Sequence, residues 1–511
     1  MRAIYLLFLF ITTFLGFSCA NPVVLFVSNE GSDANDGASF NTPMKTIAAA
    51  LKKGPEEIRL RCGDIFYENI ESTGISFSSY GQGEKPNICG LKILKKNAWE
   101  RGAFIRGKWQ ESQTGNIWRS CLSLPDSCYT GYKTNGSSLF NNVGQIVDIQ
   151  TNSLNNCRRV RFSNDLQENY DFWLNSNDSV NLKPTDYGKS GSEKNYPAKI
   201  KSEDFDFIYV YYNGNLNEKN IGLAVYCTGI RLKNASLYNI KVSHWGRCGI
   251  AAKSNTFIRN CLVDAIGGSY FINFPTWLSY GNGIEYYVQS PKTENGLVQD
   301  CIISRCYDCG LTIQGGSDSN PTSNLSAFDI TFERNLIQNC GQSLEFFLNG
   351  LNENDIFNNC IVRNNLSLDA GVNTGFRVYG KRYKYCHILE TSYRRKTGII
   401  YENNMFINGN YYCAAKVHGK YDSPIWRTNT CYILRGQDLI GNATGSADII
   451  SIPSLKNNKD SISFETNNAI KEYRMLTNDQ GTQFYIINDL LAMDSLVNLH
   501  KLRYYRDHGK R

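Results

Sequence analysis

The chain has 511 residues, of which 41% are apolar and 20% charged, and this composition excludes the intrinsically disordered and coiled-coil classes. The 54 Lys and Arg residues outnumber the 47 Asp and Glu residues by only seven, and the one basic cluster lies at the C-terminus, between Lys501 and Arg511. A nucleic-acid-binding domain shows a clustered basic face, so the charge does not support that class. The 43 Gly, the 12 Pro and the 13% aromatic residues favour a β-rich protein with many turns.

The first twenty residues have the pattern of a secretory signal. Arg2 supplies the positive start, residues 4–17 the apolar run, and Ser18-Cys19-Ala20 a small-residue cleavage site. The apolar run is too short to span a bilayer, and no later apolar run is long enough to do so. We therefore expect no transmembrane segment and a protein that is secreted, periplasmic or at the cell surface. Cys19 also permits a lipoprotein, although the residues before it fit that signal poorly.

Residues 21–91 predict an N-terminal cap and the first coils of a repeat fold. They contain a strand at Val23–Val27, a loop rich in Gly, Asp and Asn over residues 31–37, an amphipathic helix at Thr46–Leu51 and a strand at Ile58–Leu60. We expect the helix to cover the open end of a stack, because a terminal coil otherwise exposes its core.

Two other segments do not follow the repeat. Residues 92–228 contain four tryptophans and alternating strand patterns such as Ile208–Tyr212, which predict an inserted, mostly β module. Residues 446–511 predict a C-terminal cap or tail, with a helix at Ile487–Leu499.

Two series of similar segments recur between residues 229 and 445. Segments of the first series begin with Asn or Asp and continue with a short apolar run, and they start at Asn239, Asn260, Asp300, Asn335, Asn359 and Asn404. Segments of the second series place Gly or Ser before an apolar residue, which is Ile250, Ile284, Leu311, Leu344 or Phe376. This spacing indicates coils that stack in one register, as in a parallel β-helix. Asn and Gly suit the corners because they tolerate left-handed backbone.

The chain contains 17 cysteines. In an exported protein they suggest disulfides, whose pairing cannot be deduced from spacing. Cys306 and Cys309 form a lone CxxC, for which a disulfide or two packed thiols is favoured over zinc, because no second Cys pair or His partner accompanies it. Cys261, Cys301 and Cys360 occupy equivalent positions in the first series and predict a stack of buried thiols that serves packing.

Motifs near the start of the chain carry a family resemblance. They are Phe26–Gly37 (FVSNEGSDANDG), Thr42–Ile47 (TPMKTI) and Arg61–Glu68 (RCGDIFYE). They resemble the opening of exported right-handed parallel β-helix proteins, and the repeats resemble the pectin-lyase-like superfamily. Asn142-Val143-Gly144 and Asp171-Phe172-Trp173 resemble the inserted module of some carbohydrate-active members.

The resemblance implies an all-β fold, a right-handed parallel β-helix solenoid with an N-terminal capping helix and an inserted β-rich module. It raises the expectation of a carbohydrate ligand without selecting one reaction. The superfamily includes polysaccharide lyases, glycoside hydrolases, uronate epimerases, phage tailspikes and proteins with no known activity.

Alternation along the strands of the second series predicts an outward face with chemically active groups, because successive side chains of a strand point to opposite sides. The outward residues next to the inward apolar positions are Ala251, Glu285, Thr312, Glu345 and Arg377. The outward residues two places further are Lys253, Tyr287, Gln314, Phe347 and Tyr379. Glu285 and Glu345 are two coils apart, about 9.6 Å at about 4.8 Å per coil. If the two side chains tilt toward each other, the distance between their carboxyl groups falls close to the roughly 6.5–9.5 Å found in inverting glycosidases.

Further candidates lie in the turns beside these strands: His244, Arg305, Asp308 and Lys381. His244 and Arg305 occupy the same place in aligned repeats, since each precedes a Gly by five residues. A histidine is the usual proton shuttle near neutral pH.

Three functions remain open at this point. The favoured one is an exported enzyme that hydrolyses glycosidic bonds with inversion, using Glu285 and Glu345 as acid and base and His244 as a further catalytic candidate. Its substrate-binding candidates are Lys253, Tyr287, Arg305, Asp308, Gln314, Arg377, Tyr379 and Lys381. The second is a polysaccharide lyase that acts on an acidic glycan with Lys253, Arg377 or His244 as base. The third is a non-catalytic glycan-binding or surface protein, in which Glu345 pairs with Arg377.

No cofactor is predicted for hydrolysis. A calcium-assisted lyase needs grouped carboxylates, and the best group, Asp33, Asp36 and Asp64, lies near the cap, where turn formation explains it more simply. The expected partner is a polysaccharide or oligosaccharide, and we expect a monomer.

Overall fold

The computed structural model of the chain describes residues 23–95, 97–105, 108–123, 129–132, 141–151, 157–160, 165–175, 205–270, 279–288, 292–316, 325–349, 356–372, 376–377, 386–390, 397–415, 424–435, 437–440, 450–451, 468, 470–471, 474 and 481–508. The predicted signal, Met1–Ala20, lies outside these residues. Within them, no helix is both long enough and apolar enough to cross a membrane.

Most of the described chain coils through three ten-stranded sheets, which are parallel except for one terminal pair of strands. The first sheet contains Val24–Val27, Glu57–Arg61, Ser76–Tyr80, Ala235–Tyr238, Thr256–Arg259, Lys292–Gln299, Ser326–Glu333, Ile356–Arg363, Thr397–Glu402 and Ile425–Arg427. The second contains Ile65–Phe66, Asn87–Cys89, Lys241–Ser243, Leu262–Ile266, Ile302–Cys306, Leu336–Gln338, Leu366–Ala370, Met405–Gly409, Thr430–Leu434 and Gln483–Ile487. The third contains Ile70–Thr73, Thr228–Lys233, Cys248–Ala252, Asn282–Tyr287, Cys309–Gly316, Gln342–Asn349, Cys386–Glu390, Tyr411–Ala415, Asp438–Ile440 and Ile450–Ser451.

The coils enclose one continuous apolar core, to which every sheet contributes alternate residues. Ile250, Ile284, Leu311 and Leu344 point inward from the third sheet and are fully buried. No coil alone could bury such a face, so the stack shares it among neighbours. The predicted parallel β-helix is therefore confirmed.

Residues with positive φ form the corners of the coils. At the corner between the third and first sheets they are Asn234 and Asn255, and Asn295, Asp329 and Asn359 occupy the same register position inside longer strands of the first sheet. Between the first and second sheets they are Asn239, Asn260, Asp300, Arg334, Asn364, Asn403 and Thr428. Asn and Asp dominate because they tolerate this left-handed conformation better than other residues that carry a Cβ atom.

A buried hydrogen-bonded ladder follows the second of these corners. Its members are Cys261, Cys301, Asn335, Asn365, Asn404 and Asn429. The backbone N–H of each member donates to the side chain of the next, at 3.0 Å wherever the acceptor is an Asn oxygen. This buried ladder satisfies polar backbone groups that the core otherwise leaves without partners.

The register of the first series was predicted wrongly in part. Asn239, Asn260 and Asp300 lie at the second corner, whereas Asn335 and Asn404 belong to the buried ladder and Asn359 occupies the register position of the other corner. Cys360 consequently lies in the first sheet, opposite Ile399, and not on Cys301.

No disulfide joins any two of the thirteen cysteines whose side chains the structure describes. Eleven of these cysteines are buried, and Cys121 and Cys227 are half-buried. The disulfides expected from export are thus absent from this set, Cys306 and Cys309 included. These thiols act instead as small apolar side chains of the interior.

Two helices cover parts of the coil. Helix α1 (Ile47–Lys52) buries Ile47 and Ala50 against the first coil, and its N-cap Thr46 accepts a hydrogen bond from the Ala49 N–H. Helix α2 (Leu490–His508) packs Met493, Val497 and Tyr504 on the outer face of the second sheet. It lies along the side of the stack, whereas the sequence predicted either a cap over the end of the stack or a tail.

The inserted module contains two sheets. The four-stranded sheet has the order Tyr129–Gly131, Leu91–Leu94, Ile221–Val225 and Val143–Asp148. The seven-stranded sheet has the order Phe376–Arg377, Cys157–Arg159, Asp171–Asn175, Phe207–Tyr211, Ile117–Cys121, Glu100–Ile105 and Lys108–Glu111. The module's core contains Trp118, Phe172 and Ile208.

Candidate functional site

The outer face of the third sheet carries one column of aligned residues on successive coils. Glu285 lies beside Ala251 on one side and Thr312 on the other, and Thr312 lies beside Glu345. The two carboxylates are therefore two coils apart on one face, with about 9.6 Å between their backbones at about 4.8 Å per coil. We call the column from Ala251 to Glu345, with its flanking outward residues, the carboxylate face.

Glu285 is only 2% exposed and is held by three side-chain donors. Its Oε2 accepts hydrogen bonds from the Tyr280 hydroxyl, from Asn282 Nδ2 at 2.9 Å and from Gln314 Nε2 at 3.0 Å. Gln314 also donates to the Tyr280 hydroxyl oxygen at 2.9 Å. Within the described chain, Oε1 accepts no hydrogen bond, so all three donors anchor the same oxygen.

Tyr280 is a permanent donor to this carboxylate. Burial, reinforced by the nearby charge of Glu285, raises the pKa of the Tyr280 hydroxyl well above its usual range. The Arg247 guanidinium lies 5.1 Å from the centroid of the Tyr280 ring and donates to Thr228 Oγ1 at 3.0 Å. Burial lowers the pKa of Arg247, but the neighbouring Tyr280, Tyr226 and Glu285 outweigh it and raise this pKa, so the cation persists.

Glu345 is half-buried on the same face. It lies near the thiol of Cys309, whose pKa is raised well above its usual range by burial and then by the charge of Glu345. Cys309 is thereby kept as a neutral thiol and cannot serve as a nucleophile at neutral pH.

Three buried polar atoms near the two carboxylates lack a hydrogen-bond partner within the described chain. They are Asn282 Oδ1, Thr312 Oγ1 and Gln342 Oε1, from three successive coils. Buried polar atoms are nearly always satisfied in folded proteins. Each of these oxygens can accept a further hydrogen bond from a water or a hydroxyl group.

Several predicted substrate-binding residues border the carboxylate face. Tyr287 lies beside Gln314 in the register of the third sheet, and both are half-buried. Lys253 is exposed at the end of the strand on the preceding coil. Asp308 lies at the corner before Cys309, where its backbone N–H donates to the Gly281 carbonyl and its carbonyl accepts from the Gln342 N–H.

His244 and Arg305 occupy equivalent corner positions, as predicted, but they lie with Asp264 and not with Glu285. Arg305 donates through Nε to Asp264 Oδ1 at 2.8 Å and forms a second bond to Oδ2. Burial lowers the pKa of His244 to about 4, against the opposing effect of Asp264. A proton shuttle between His244 and the carboxylate face is therefore unsupported.

Arg377 does not lie in the third sheet. The strand Phe376–Arg377 pairs with Cys157–Arg159 of the inserted module, and the position beside Glu345 belongs to Leu389 of the strand Cys386–Glu390. The register predicted for Phe376 and Arg377 was therefore wrong. Tyr379 and Lys381 lie outside the described residues.

The carboxylates near the cap accept backbone hydrogen bonds, and only that of Asp36 is a local turn contact. Asp33 accepts hydrogen bonds from the backbone N–H groups of Lys45 and Thr46, Asp36 from that of Ala38, and Asp64 from that of Asn29. No group of three or more potential metal ligands occurs in the part of the chain that the structure describes.

Sequence reasoning missed Tyr280 and Asn282 as partners of Glu285. Tyr280 precedes its strand and has no counterpart in the repeat, so periodicity gave no signal for it. Asn282 was visible three residues before Glu285, within reach along the same strand. Tyr280 and Asn282 both precede Ile284, and the repeat pattern identified only that inward apolar position and the residues after it.

Comparison with known proteins gives only distant structural matches. No family model and no curated protein matches the chain. The GH136 lacto-N-biosidase from Eubacterium ramulus is similar with 12% identity and a TM-score of 0.39, over 81% of this chain and 60% of that chain. A glycoside hydrolase is similar with 10% identity and a TM-score of 0.36, over 80% of this chain and 96% of that chain. The complex of XylC with xylose is similar with 11% identity and a TM-score of 0.37, over 91% of this chain and 82% of that chain.

The chain thus spans about 60% of the length of the lacto-N-biosidase chain. Likeness at such TM-scores decides neither fold nor activity. The fold follows from the sheet register described above, and the function has to be inferred from the carboxylate face.

Proposed function

We propose that the chain is a glycoside hydrolase that cleaves a polysaccharide or oligosaccharide with inversion at the anomeric carbon. The observation that carries the proposal is the shared column of Glu285 and Glu345, two coils apart with only Thr312 between them. A separation near 6.5–9.5 Å leaves room for a water molecule, whereas a retaining pair needs roughly 5–5.5 Å. The distance of about 9.6 Å between the two backbones favours the inverting separation over the retaining one.

The surroundings of the two carboxylates suggest their roles. Three donors converge on Oε2 of Glu285 and fix the orientation of this carboxylate, whereas Glu345 is half-buried on the same face. In the proposed reaction, Glu285 acts as the base that takes a proton from water. The water oxygen attacks the anomeric carbon, the bond from that carbon to the leaving oxygen breaks, and Glu345 gives that oxygen a proton.

A lyase is the second candidate, and the positions of its bases argue against it. Of the three bases predicted for it, only Lys253 borders the carboxylate face. His244 lies with Asp264 and Arg305, and the strand containing Arg377 belongs to the module. Hydrolysis uses the two carboxylates that do share the face.

The test is a screen of the purified chain against a polysaccharide panel, followed by variants on the active substrate. Glu285→Gln and Glu345→Gln should each lower kcat by about 10²–10⁴-fold, the usual contribution of a general acid or base. Glu71→Gln is the matched control, because Glu71 is exposed in the same sheet, three coil positions from Glu285. It should retain activity.

The products separate the candidates. New reducing ends of inverted anomeric configuration, observed by proton NMR immediately after mixing, are the expected result. An unsaturated product absorbing in the ultraviolet would identify a lyase. Full activity in Glu285→Gln would contradict the assigned base, and binding without any cleavage across the panel would favour the non-catalytic protein.

A further inference from the structure

We infer that the inserted module is part of the catalytic apparatus, because its Arg159 positions Tyr280 on Glu285. This inference rests on the proposed function for its catalytic meaning. Tyr280 lies before the strand Asn282–Tyr287, so the sheet that fixes Glu285 does not by itself fix Tyr280. Its position depends on the two chain segments that meet there, 267–270 and 279–281.

Arg159 contacts both of these segments. Its guanidinium donates hydrogen bonds to the Gly268 carbonyl and to the Ser279 hydroxyl, the residue directly before Tyr280. The same guanidinium lies 3.4 Å from the centroid of the Tyr270 ring. One planar cation of the module therefore bridges the outgoing and returning segments, a role that suits the fixed fork of an arginine.

Two further residues of the module hold the outgoing segment. The Asn142 side chain donates to the Tyr270 carbonyl at 2.7 Å and accepts from the Tyr270 N–H at 3.0 Å, which is a complete pairing with that backbone. Gln145 Nε2 donates to the carbonyls of Ala265 and Gly267 at 3.0 and 2.9 Å. Both side chains are buried, so water competes little for these bonds.

The clamped segments transmit this position to Tyr280. The Gly268 N–H donates to the Tyr280 carbonyl at 2.8 Å, and the Tyr280 N–H donates to the Ser269 carbonyl at 2.9 Å. Tyr270 and Ser279 form an antiparallel bridge between the same two segments. The backbone of Tyr280 is thus fixed on the segment that Arg159 and Asn142 hold, while its hydroxyl reaches Glu285.

Arg159 and Asn142 are positioning residues in this account, since within the described chain no hydrogen bond or ion pair joins either of them to Glu285. Catalytic geometry tolerates little displacement, and a shift of about 1 Å can cost about 10²-fold in rate. The module's role is to keep the third donor of Glu285 within hydrogen-bond distance. The coil itself supplies the other two, Asn282 and Gln314.

The test compares four full-length variants: Arg159→Met, Arg159→Lys, Tyr280→Phe and the double variant Arg159→Met/Tyr280→Phe. Arg119→Met is the matched control, because Arg119 lies in the same seven-stranded sheet, pairs with Glu100 and stacks on Trp109, without a hydrogen bond or ion pair to the described residues 267–270 and 279–281. Amide hydrogen exchange and steady-state kinetics are measured for each, with the chain's own substrate from the panel.

Arg159→Met should speed exchange of the Gly268 and Tyr280 amides by about 10-fold or more, with the coil amides unchanged. It should lower kcat by about 10-fold with little effect on KM, and Arg159→Lys should recover part of the loss. The double variant should have a kcat no lower than that of Tyr280→Phe alone, because both substitutions act on the same hydrogen bond from Tyr280 to Glu285. Arg119→Met should change neither measurement.

Unchanged exchange in Arg159→Met would overturn the clamp, whatever the activity. Faster exchange with kcat kept within twofold of the unmodified chain, while Tyr280→Phe loses tenfold, would overturn its catalytic role. If the unmodified chain cleaves nothing in the panel, the proposed function fails, and the exchange result alone decides whether Arg159 holds Tyr280.

Discussion

The protonation state of the buried His244 is set by its position in the coil. His244 is 8% exposed and occupies a corner with φ of 59°, and its Nδ1 has no hydrogen-bond partner within the described residues. Burial lowers its pKa to about 4, Arg305 and Lys241 act in the same direction, and Asp264 opposes them. The neutral ring is therefore the form that the fold accepts.

This residue should make the fold sensitive to acid. An unfolded histidine takes up a proton near pH 6.5, whereas folded His244 does so only near pH 4, so stability falls as the pH drops through this window and then levels off. At pH 5 the loss is roughly 2 kcal/mol, at about 1.4 kcal/mol per pH unit. His244→Asn should remove it, because Asn339 and Asn408 accept the same conformation at equivalent corners.

The measurement is denaturant unfolding of both proteins at pH 7 and pH 5. His387, whose pKa burial lowers to about 3, remains in both proteins and contributes equally. An identical loss of stability in the two proteins would contradict the assignment to His244.

The sequence predicted part of the carboxylate face at this scale. Glu285, Thr312, Glu345, Tyr287 and Gln314 lie where strand alternation predicted them, because each follows an inward apolar residue in a regular coil. Partners of a residue are harder to predict than its orientation. Tyr280 and Arg159 meet the site only through tertiary contacts that no local period encodes.

At the scale of structural elements, the buried ladder is the feature that keeps successive coils in step. Asn365 is 3% exposed, donates to the Phe332 carbonyl and to Asn404 Oδ1, both at 2.9 Å, and accepts from the Asn335 N–H and side chain. The Asn365 side chain thus connects its own coil to both neighbours. The ladder replaces the backbone pairing that the corner interrupts.

Asn365→Ala should destabilise the protein by about 3 kcal/mol, because it leaves buried backbone and amide groups without partners. Asn295→Gly is the control, because Asn295 is exposed and its φ of 58° suits glycine. This substitution removes one exposed hydrogen bond, from the Asn295 side chain to that of Asn255. A change of about 0.5 kcal/mol or less is expected there. Equal losses in denaturant unfolding would show that the buried ladder has no special role.

The errors in register have a physical origin. Corner and ladder residues are adjacent, as in Asn364-Asn365 and Asn403-Asn404, so an Asn before an apolar run fits either position. The fifth coil of the second series was misplaced because Cys386-His387-Ile388 lacks the Gly that marks the others. Phe376 matches that pattern by chance, in a segment that pairs with the module.

At the scale of the whole molecule, the chain combines a regular coil with additions that the repeat does not predict. The inserted module and helix α2 both pack on outer faces of the coil, where no periodicity constrains their sequence. Their existence was predicted from the loss of the repeat. Their docking depends on single contacts such as the hydrogen bond from the Tyr504 hydroxyl to the Arg334 carbonyl, at 2.9 Å.

The thiol content tests the packing of the entire coil. In denaturant without reductant, at least ten of the described cysteines should react with a thiol reagent, Cys121, Cys386 and Cys431 being left out of this count. In the native protein, the eleven buried ones should be unreactive, because the interior excludes the reagent and burial raises the pKa of thiols such as Cys248 and Cys306. Fewer than ten reactive thiols in denaturant would reveal disulfides that the described structure lacks.

The most direct test of the central claim is a crystal structure of the Glu285→Gln variant with an oligosaccharide of the substrate that the panel identifies. We predict that the scissile bond spans the column at Thr312, with its glycosidic oxygen within hydrogen-bond distance of Glu345 and a water between the substituted side chain and the anomeric carbon. An oligosaccharide bound on another face of the coil, or the two side chains at positions 285 and 345 on opposite sides of it, would contradict the account.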